Sequence, residues 1–192
     1  MQDHGTGASG AVYSPTARRL HWWTVVFLLV QIPLGFAMAY RGNDLDIWDG
    51  LTNALYSSHK LIGLLFLLLI VTRLVYRITN GAPRDEPTLN AFEKFASHAT
   101  HWTLYALLLA VALGGLIGVS YYDARDVFGI FSIPAFTKKD TDFAAVIFTW
   151  HKYGAIAILL LAGLHIAAAL MHYFVKKDGV LSRMLPAAGR RS

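Results

Sequence analysis

Eight histidines and no cysteine set the metal chemistry open to this 192-residue chain. Without cysteine there are no disulfides, no Cys-ligated iron–sulfur clusters and no covalent C-x-x-C-H haem. Three of the histidines, His151, His165 and His172, fall in Trp150–Tyr173, a run with no acid and one basic residue, Lys152. Ionisable groups are costly in hydrocarbon, so inside such a run they read first as functional. His151 and His165 are 14 residues apart, and 14 steps of about 100° fall about 40° short of four full helical turns. Both rings therefore leave one face of a helix, about 21 Å apart along its axis. Two imidazoles at two depths suit two stacked redox cofactors; a single catalytic site would not need them.

Positioning such rings requires a membrane bundle, and the composition agrees. The chain is 55% hydrophobic, has a mean hydropathy of +0.45 and is only 15% charged, against about 25% for ordinary soluble domains. The net charge of +5 raises nucleic-acid binding as a possibility. No basic stripe lies outside the loops that flank apolar runs, so the charge reads as membrane topology and no nucleic-acid partner is expected.

Four spans are predicted, in one all-α, four-transmembrane-helix domain over residues 18–178. A flexible Gly-rich segment over 1–17 precedes it, holding His4, for which no specific role is expected, and a basic tail over 179–192 follows. The first span, Leu20–Tyr40, carries an Ala37-Met38-Ala39 string like a signal-peptidase site. It is longer than a signal core and has a histidine at its charged end, so it reads as a retained span, with a kink expected at Pro33. The second runs from about Tyr56 to Ile78; its uncharged centre, Leu61–Thr72, is bounded by Lys60 and Arg73, whose stems can snorkel. The third begins near His98 and the fourth ends at Lys176. The connection over 123–148 mixes charge with apolar GIFSIPAF and is expected to lie across the bundle mouth as a lid.

Four spans put both termini on one side. Eleven of the 17 basic residues then lie on that side, against Arg41, Lys60, Arg125, Lys138, Lys139 and Lys152 on the other. The bias predicts cytoplasmic termini. By depth, His59 and His151 fall at the outer level, His21 and His165 at the inner one. Two cross-helix pairs, stacked, suggest two non-covalent bis-histidine b-type haems, whose filled axial positions favour electron transfer over oxygen activation. Zinc fits less well, since a pair supplies two ligands where structural sites take four. Gly63 and Gly154, close after His59 and His151, suggest room for a bulky planar guest. Arg18, Arg19, Lys60, Arg73 and Lys152 are candidates to neutralise haem propionates; interfacial snorkelling is their plainer explanation. His98 and His101 could replace His21 as a ligand, hydrogen-bond a quinone or relay protons. His172 reads either as an interfacial histidine or as a quinone contact.

The strings RRLHWW (18–23), SHKLIG (58–63), SHATHWTLY (97–105), WHKYG (150–154) and GLHIAAALMHYFVKKDGVLSRMLP (163–186) resemble the bacterial cytochrome b561 family over nearly the whole chain after residue 14. The resemblance implies a multi-pass protein of the bacterial inner membrane with two b haems and His21, His59, His151 and His165 as axial ligands. Some members are similar to superoxide oxidases that pass an electron to ubiquinone. The expected function is electron exchange between a membrane quinone and an outer-face donor or acceptor, superoxide or a periplasmic redox partner. As an enzyme it would be a quinone-linked oxidoreductase of superoxide:ubiquinone type. The alternatives are a non-catalytic haem b subunit serving a partner redox protein, and a haem-free transporter or proton channel using His98, His101 and His172.

Overall fold

The computed structural model describes residues 12–185; His4, the expected flexible segment up to residue 11, and the end of the basic tail from 186 lie outside the described residues. The chain forms α1 (Pro15–Ala39), α2 (Gly50–Asn80), α3 (Ala91–Tyr122), a hairpin of β1 (Asp126–Val127) and β2 (Phe131–Ser132), and α4 (Thr141–Met171). Single π turns extend α1 over Tyr40–Asp44 and α4 over His172–Lys176. All four helices are long and apolar enough to cross a membrane, with mean hydropathies of 1.8 to 2.3. Leu29 (70% exposed) and Leu164 (69%) are typical of their outward faces, which lipid would cover.

Each helix begins on polar residues that the hydropathy reading left in loops. Ser14 accepts from the Ala17 amide with Pro15 at the first turn, and Asp49 accepts from the Thr52 amide. Asn90 and Glu93 form a reciprocal capping box, and Asp140 accepts from Phe143. Such caps satisfy the free amides of a first turn. They start α2, α3 and α4 several residues earlier than hydrophobicity alone suggests and shorten the lid connection to 123–140. α1 is continuous through Pro33.

α1 packs along α2, α3 along α4, and α2 against α3, while α1–α4 and α2–α4 are not closely packed pairs. The bundle is thus two helix pairs with space between them. Phe66 and Ile70 of α2, Leu108 of α3 and Ile158 of α4 form the buried core, with Phe27 stacked on Phe66 at 5.8 Å. Ile158 lies midway along α4 between His151 and His165, so this core is an apolar layer between the two histidine levels.

At the end opposite the termini, the β hairpin folds back onto α2. Val127 and Ile133 are buried, the Phe128 amide donates to Ser57 Oγ at 3.1 Å, and the Lys60 ammonium donates to the carbonyls of Ala124 and Asp126. The turn carries Phe128 and Gly129 at φ 57° and 69°, and the left-handed conformation at Phe128 costs free energy for a bulky residue. Fixed external contacts therefore hold the hairpin in place. Lys60→Met is expected to raise hydrogen exchange at residues 124–132 at least about tenfold, since a hydrogen bond to a charged group contributes about 1.5–3 kcal/mol. Unchanged exchange there would show that Val127 and Ile133 alone hold the hairpin.

At the terminal end, residues 178–185 cross beneath the bundle. Trp22 donates its indole N–H to Met184 O at 2.9 Å and Arg18 donates to Leu185 O at 2.9 Å. Arg183 faces Glu86 at 3.9 Å. The segment is tied to α4 by Asp178, whose Oδ2 accepts from His172 Nδ1 at 2.6 Å and from Thr88 Oγ at 3.2 Å, and whose Oδ1 accepts the Val180 amide. Both side chains are buried, at 8% and 3% exposure. Burial alone would raise the Asp178 pKa, but the His172 and Val180 bonds outweigh it and hold the carboxyl below the usual range. A carboxylate depressed in the fold adds stability above its unfolded pKa and loses it as pH falls through the folded one. Limited proteolysis at 178–185 should thus be slow at neutral pH and accelerate on acidification below the usual carboxylate range. Asp178→Asn should be cleaved quickly even at neutral pH; equal cleavage of both proteins at every pH would remove Asp178 as the tie.

Candidate functional site

Two imidazole pairs bridge the two helix pairs. Toward the hairpin end His59 of α2 and His151 of α4 stand with ring centroids 6.0 Å apart and planes crossing at 80°. Toward the terminal end His21 of α1 and His165 of α4 stand 6.4 Å apart, crossing at 70°. Each pair spans a helix–helix gap that backbone packing leaves open.

The surroundings of the rings differ. Nδ1 of His151 lies 2.8 Å from the Val111 carbonyl of α3. A carbonyl only accepts, so Nδ1 carries the proton and Nε2 keeps its lone pair for a metal. Nδ1 of His59 is buried without a hydrogen bond of ordinary geometry. Gln31 donates its amide to the His59 carbonyl at 2.8 Å and leaves its own Oε1 buried and unpaired. Nδ1 of His21 accepts from the Arg73 guanidinium at 2.9 Å, which leaves the neutral ring's proton on Nε2, so this bond must be given up for Nε2 to hold a metal. Arg73 also lies over the Tyr105 ring at 5.1 Å. His101 packs edge-on against His165 at 5.2 Å and faces Ser97 Oγ at 3.5 Å.

A cavity of about 1240 Å³ surrounds the His59–His151 pair. It is lined inward by Gly63, Leu67 and Ile158 and outward by Trp48, Tyr56 and Asn53, with Phe128 and Ile133 of the hairpin across it. The expected lid is therefore present. Trp48 stacks on Tyr56 at 5.3 Å, and Tyr56 donates to Asn43 at 3.1 Å, closing one corner of the mouth.

The other candidates divide. His101 joins the His21–His165 group. His98 is half exposed and pairs with Asp85 at 3.0 Å, and His172 is committed to Asp178. Among the cations, Arg73 reaches the His21 ring, and Lys152 is exposed at the edge of the cavity. Lys60 holds the hairpin, Arg18 holds Leu185 O, and Arg19 is exposed on α1. Of the glycines suggested as room for a guest, Gly63 lines the cavity, though a Cβ there would meet the Gln31 amide at 3.0 Å, whereas Gly154 is filled from within, since a Cβ there would meet Val111 Cγ2 at 2.4 Å. The glycines that touch imidazoles are Gly35 and Gly115, which the sequence reading passed over. Its available signal was that glycine is disfavoured inside a helix and so marks a close approach.

Comparison with known proteins gives the family. The pattern of the prokaryotic cytochrome b561 family matches residues 12–187. The chain is 30% identical to cytochrome b561 homolog 2 of Escherichia coli (strain K12), covering 90% of each chain. It is 27% identical to that organism's cytochrome b561 homolog 1, over 91% of this chain and 97% of the relative. It is 29% identical to the probable superoxide oxidase CybB of Yersinia pestis, over 91% and 96%. With nearly its whole length matched and four apolar helices to carry it, the chain belongs to the prokaryotic cytochrome b561 family, bacterial multi-pass membrane proteins that bind b-type haem and transfer electrons.

Proposed function

We propose that the chain moves electrons across the bacterial inner membrane through two bis-histidine b haems, exchanging them between a membrane quinone such as ubiquinone and a donor or acceptor at the outer face. His59 and His151 would hold the outer haem, His21 and His165 the inner one, with the termini in the cytoplasm, as the distribution of basic residues favours. The observation that carries the reading is the matched separation of two imidazole pairs at two levels. Two metal–nitrogen bonds of about 2 Å each, plus about 1 Å from each nitrogen to its own ring centroid, give about 6 Å. The 6.0 and 6.4 Å separations meet that figure. His101, at 5.2 Å from His165, is too close to share a metal with it, which favours His21 as the ligand. The cavity around His59 and His151 leaves room for a planar group between α2 and α4, and α1 and α4 are likewise not closely packed at the inner pair.

A b haem with both axial positions filled supplies a one-electron couple without an open site for oxygen. The chain's residues do the rest. The Val111 carbonyl holds His151 in the tautomer that leaves Nε2 free. Arg73 places a partly buried cation against the inner pair, and the Phe66–Ile158 layer puts apolar side chains between the levels. The hairpin limits the outer mouth, where Lys152 could draw an anion such as superoxide. The likeness to a probable superoxide oxidase supports superoxide as donor, in which case the chain is a quinone-linked oxidoreductase.

A reduced-minus-oxidised spectrum of the purified protein, with haem quantified per chain, is expected to give two b haems. The pre-reduced protein is expected to reduce ubiquinone unaided, and superoxide to reduce the oxidised protein. One haem per chain overturns the two-site reading. Two haems without quinone reduction leave a haem b subunit that serves a partner redox protein.

A further inference from the structure

The two outer imidazoles are seated alike on opposite helix pairs. His59 of α2 lies against α1 at Gly35, where an added Cβ would stand 2.9 Å from its Cε1 and 3.4 Å from its Nδ1. His151 of α4 lies against α3 at Gly115, where the same atom would stand 2.9 Å from Cε1 and 3.2 Å from Nδ1. Four residues before Gly115 the Val111 carbonyl is bonded to His151 Nδ1 at 2.8 Å; four residues before Gly35, Gln31 donates its side-chain amide to the His59 carbonyl at 2.8 Å, and His59 Nδ1 is buried without a hydrogen-bond partner among the described residues.

The spacing has a physical reason. A helical side chain leans toward the N-terminus and covers the turn before its own Cα. The side chain at i+4 therefore stands over the carbonyl of residue i, which already accepts that residue's amide. Glycine at i+4 uncovers the carbonyl's second lone pair and lets a flat ring lie on the backbone. Backbone conformation does not demand glycine at either place, since neither has a positive φ. Gly154, by admitting Val111 Cγ2, draws α3 against α4 where this contact is made. Gly114, beside Gly115, meets nothing within 4 Å, so glycine content alone does not produce the contact.

We infer that Gly35 and Gly115 are positioning residues for the outer haem: each lets one axial imidazole lie flat against a neighbouring helix backbone, at Gly115 beside the Val111 carbonyl that holds the ring, and together they fix the crossing of the two ring planes. The inference rests on the bis-histidine reading above. The planes cross at 80°. In low-spin ferric iron the crossing angle of the axial rings governs the splitting of the metal's π-symmetry orbitals, and with it the low-field g value of the paramagnetic resonance spectrum. The glycines therefore control ring orientation, a property distinct from whether iron is bound.

The test uses purified holoprotein carrying Gly35→Ala, Gly115→Ala or, as control, Gly114→Ala. Each of the first two is expected to shift the low-field feature of the ferric outer haem by more than its linewidth and to move that haem's midpoint potential. The inner haem's feature should stay in place, and Gly114→Ala should match the parent. Loss of the outer haem alone, with the inner retained, supports the same assignment, because the displaced ring no longer reaches. An unmoved outer feature in both variants overturns it. So does an equal change or loss at both haems, or an equal effect from Gly114→Ala, since each marks general helix packing. Failure of the underlying reading is separately visible, as a parent protein that lacks one of the two haem signals.

Discussion

His151→Ala is expected to halve the haem per chain and leave the inner haem with its own spectrum and potential; His165→Ala is expected to halve it too and leave the outer one. The expectation follows from the levels at which α4 carries its two rings, about 21 Å apart along the axis, each facing a different partner helix. Removing one imidazole leaves a single axial ligand, and nothing else among the described residues stands opposite His59 as His151 does. At the inner level His101 stands too close to His165 to share a metal with it, so alanine at His21 is expected to remove the inner haem as alanine at His165 does. The measurement is haem quantified per chain by pyridine haemochrome, with difference spectra and redox titration of each variant. Loss of both haems from either single variant, or of neither, would overturn the assignment of ligands to levels.

Arg73→Met is expected to lower the midpoint potential of the inner haem by about 90 mV and to leave the outer haem where it was. Arg73 is a partly buried cation whose guanidinium lies 2.9 Å from His21 Nδ1. A positive charge beside a redox centre favours the state with one more electron. At a separation of about 8 Å and an effective dielectric of about 20 the interaction is worth about 2 kcal/mol, which is about 90 mV on a one-electron couple. Methionine keeps the unbranched stem, so packing near Tyr105 is largely preserved while the charge goes. Spectroelectrochemical titration resolves the two haems and reads the shift. A rise in the inner potential, or equal shifts at both haems, would mean that Arg73 acts through packing. Lowering the inner potential alone also slows electron transfer from the outer to the inner haem, so quinone reduction, if it occurs at the inner level, should fall with it.

Much of this was readable in the residues because periodicity and hydrophobicity are local properties. Four apolar runs, the 14-residue spacing of His151 and His165 and the alternation of helix direction are enough to assign His21, His59, His151 and His165 to two depths. The caps Ser14, Asp49, Asn90 and Asp140 were also local, and the helices start where they do because a capped first turn outweighs the polarity of its residues. What only the tertiary structure decided is which groups meet across helices. Lys60 and Arg73 look alike in sequence, each a cation at one edge of α2. The fold turns one toward hairpin carbonyls and the other toward an imidazole, because β1 folds back beside Lys60 while α1 and α3 enclose Arg73. His98 and His101 are three residues apart, yet one faces Asp85 in the connection and the other the ring of His165. Gly35 and Gly115 carry no side chain for any pattern to read. Their part depends on how closely α1 approaches α2 and α3 approaches α4, a distance set by packing and encoded in no single stretch of the chain.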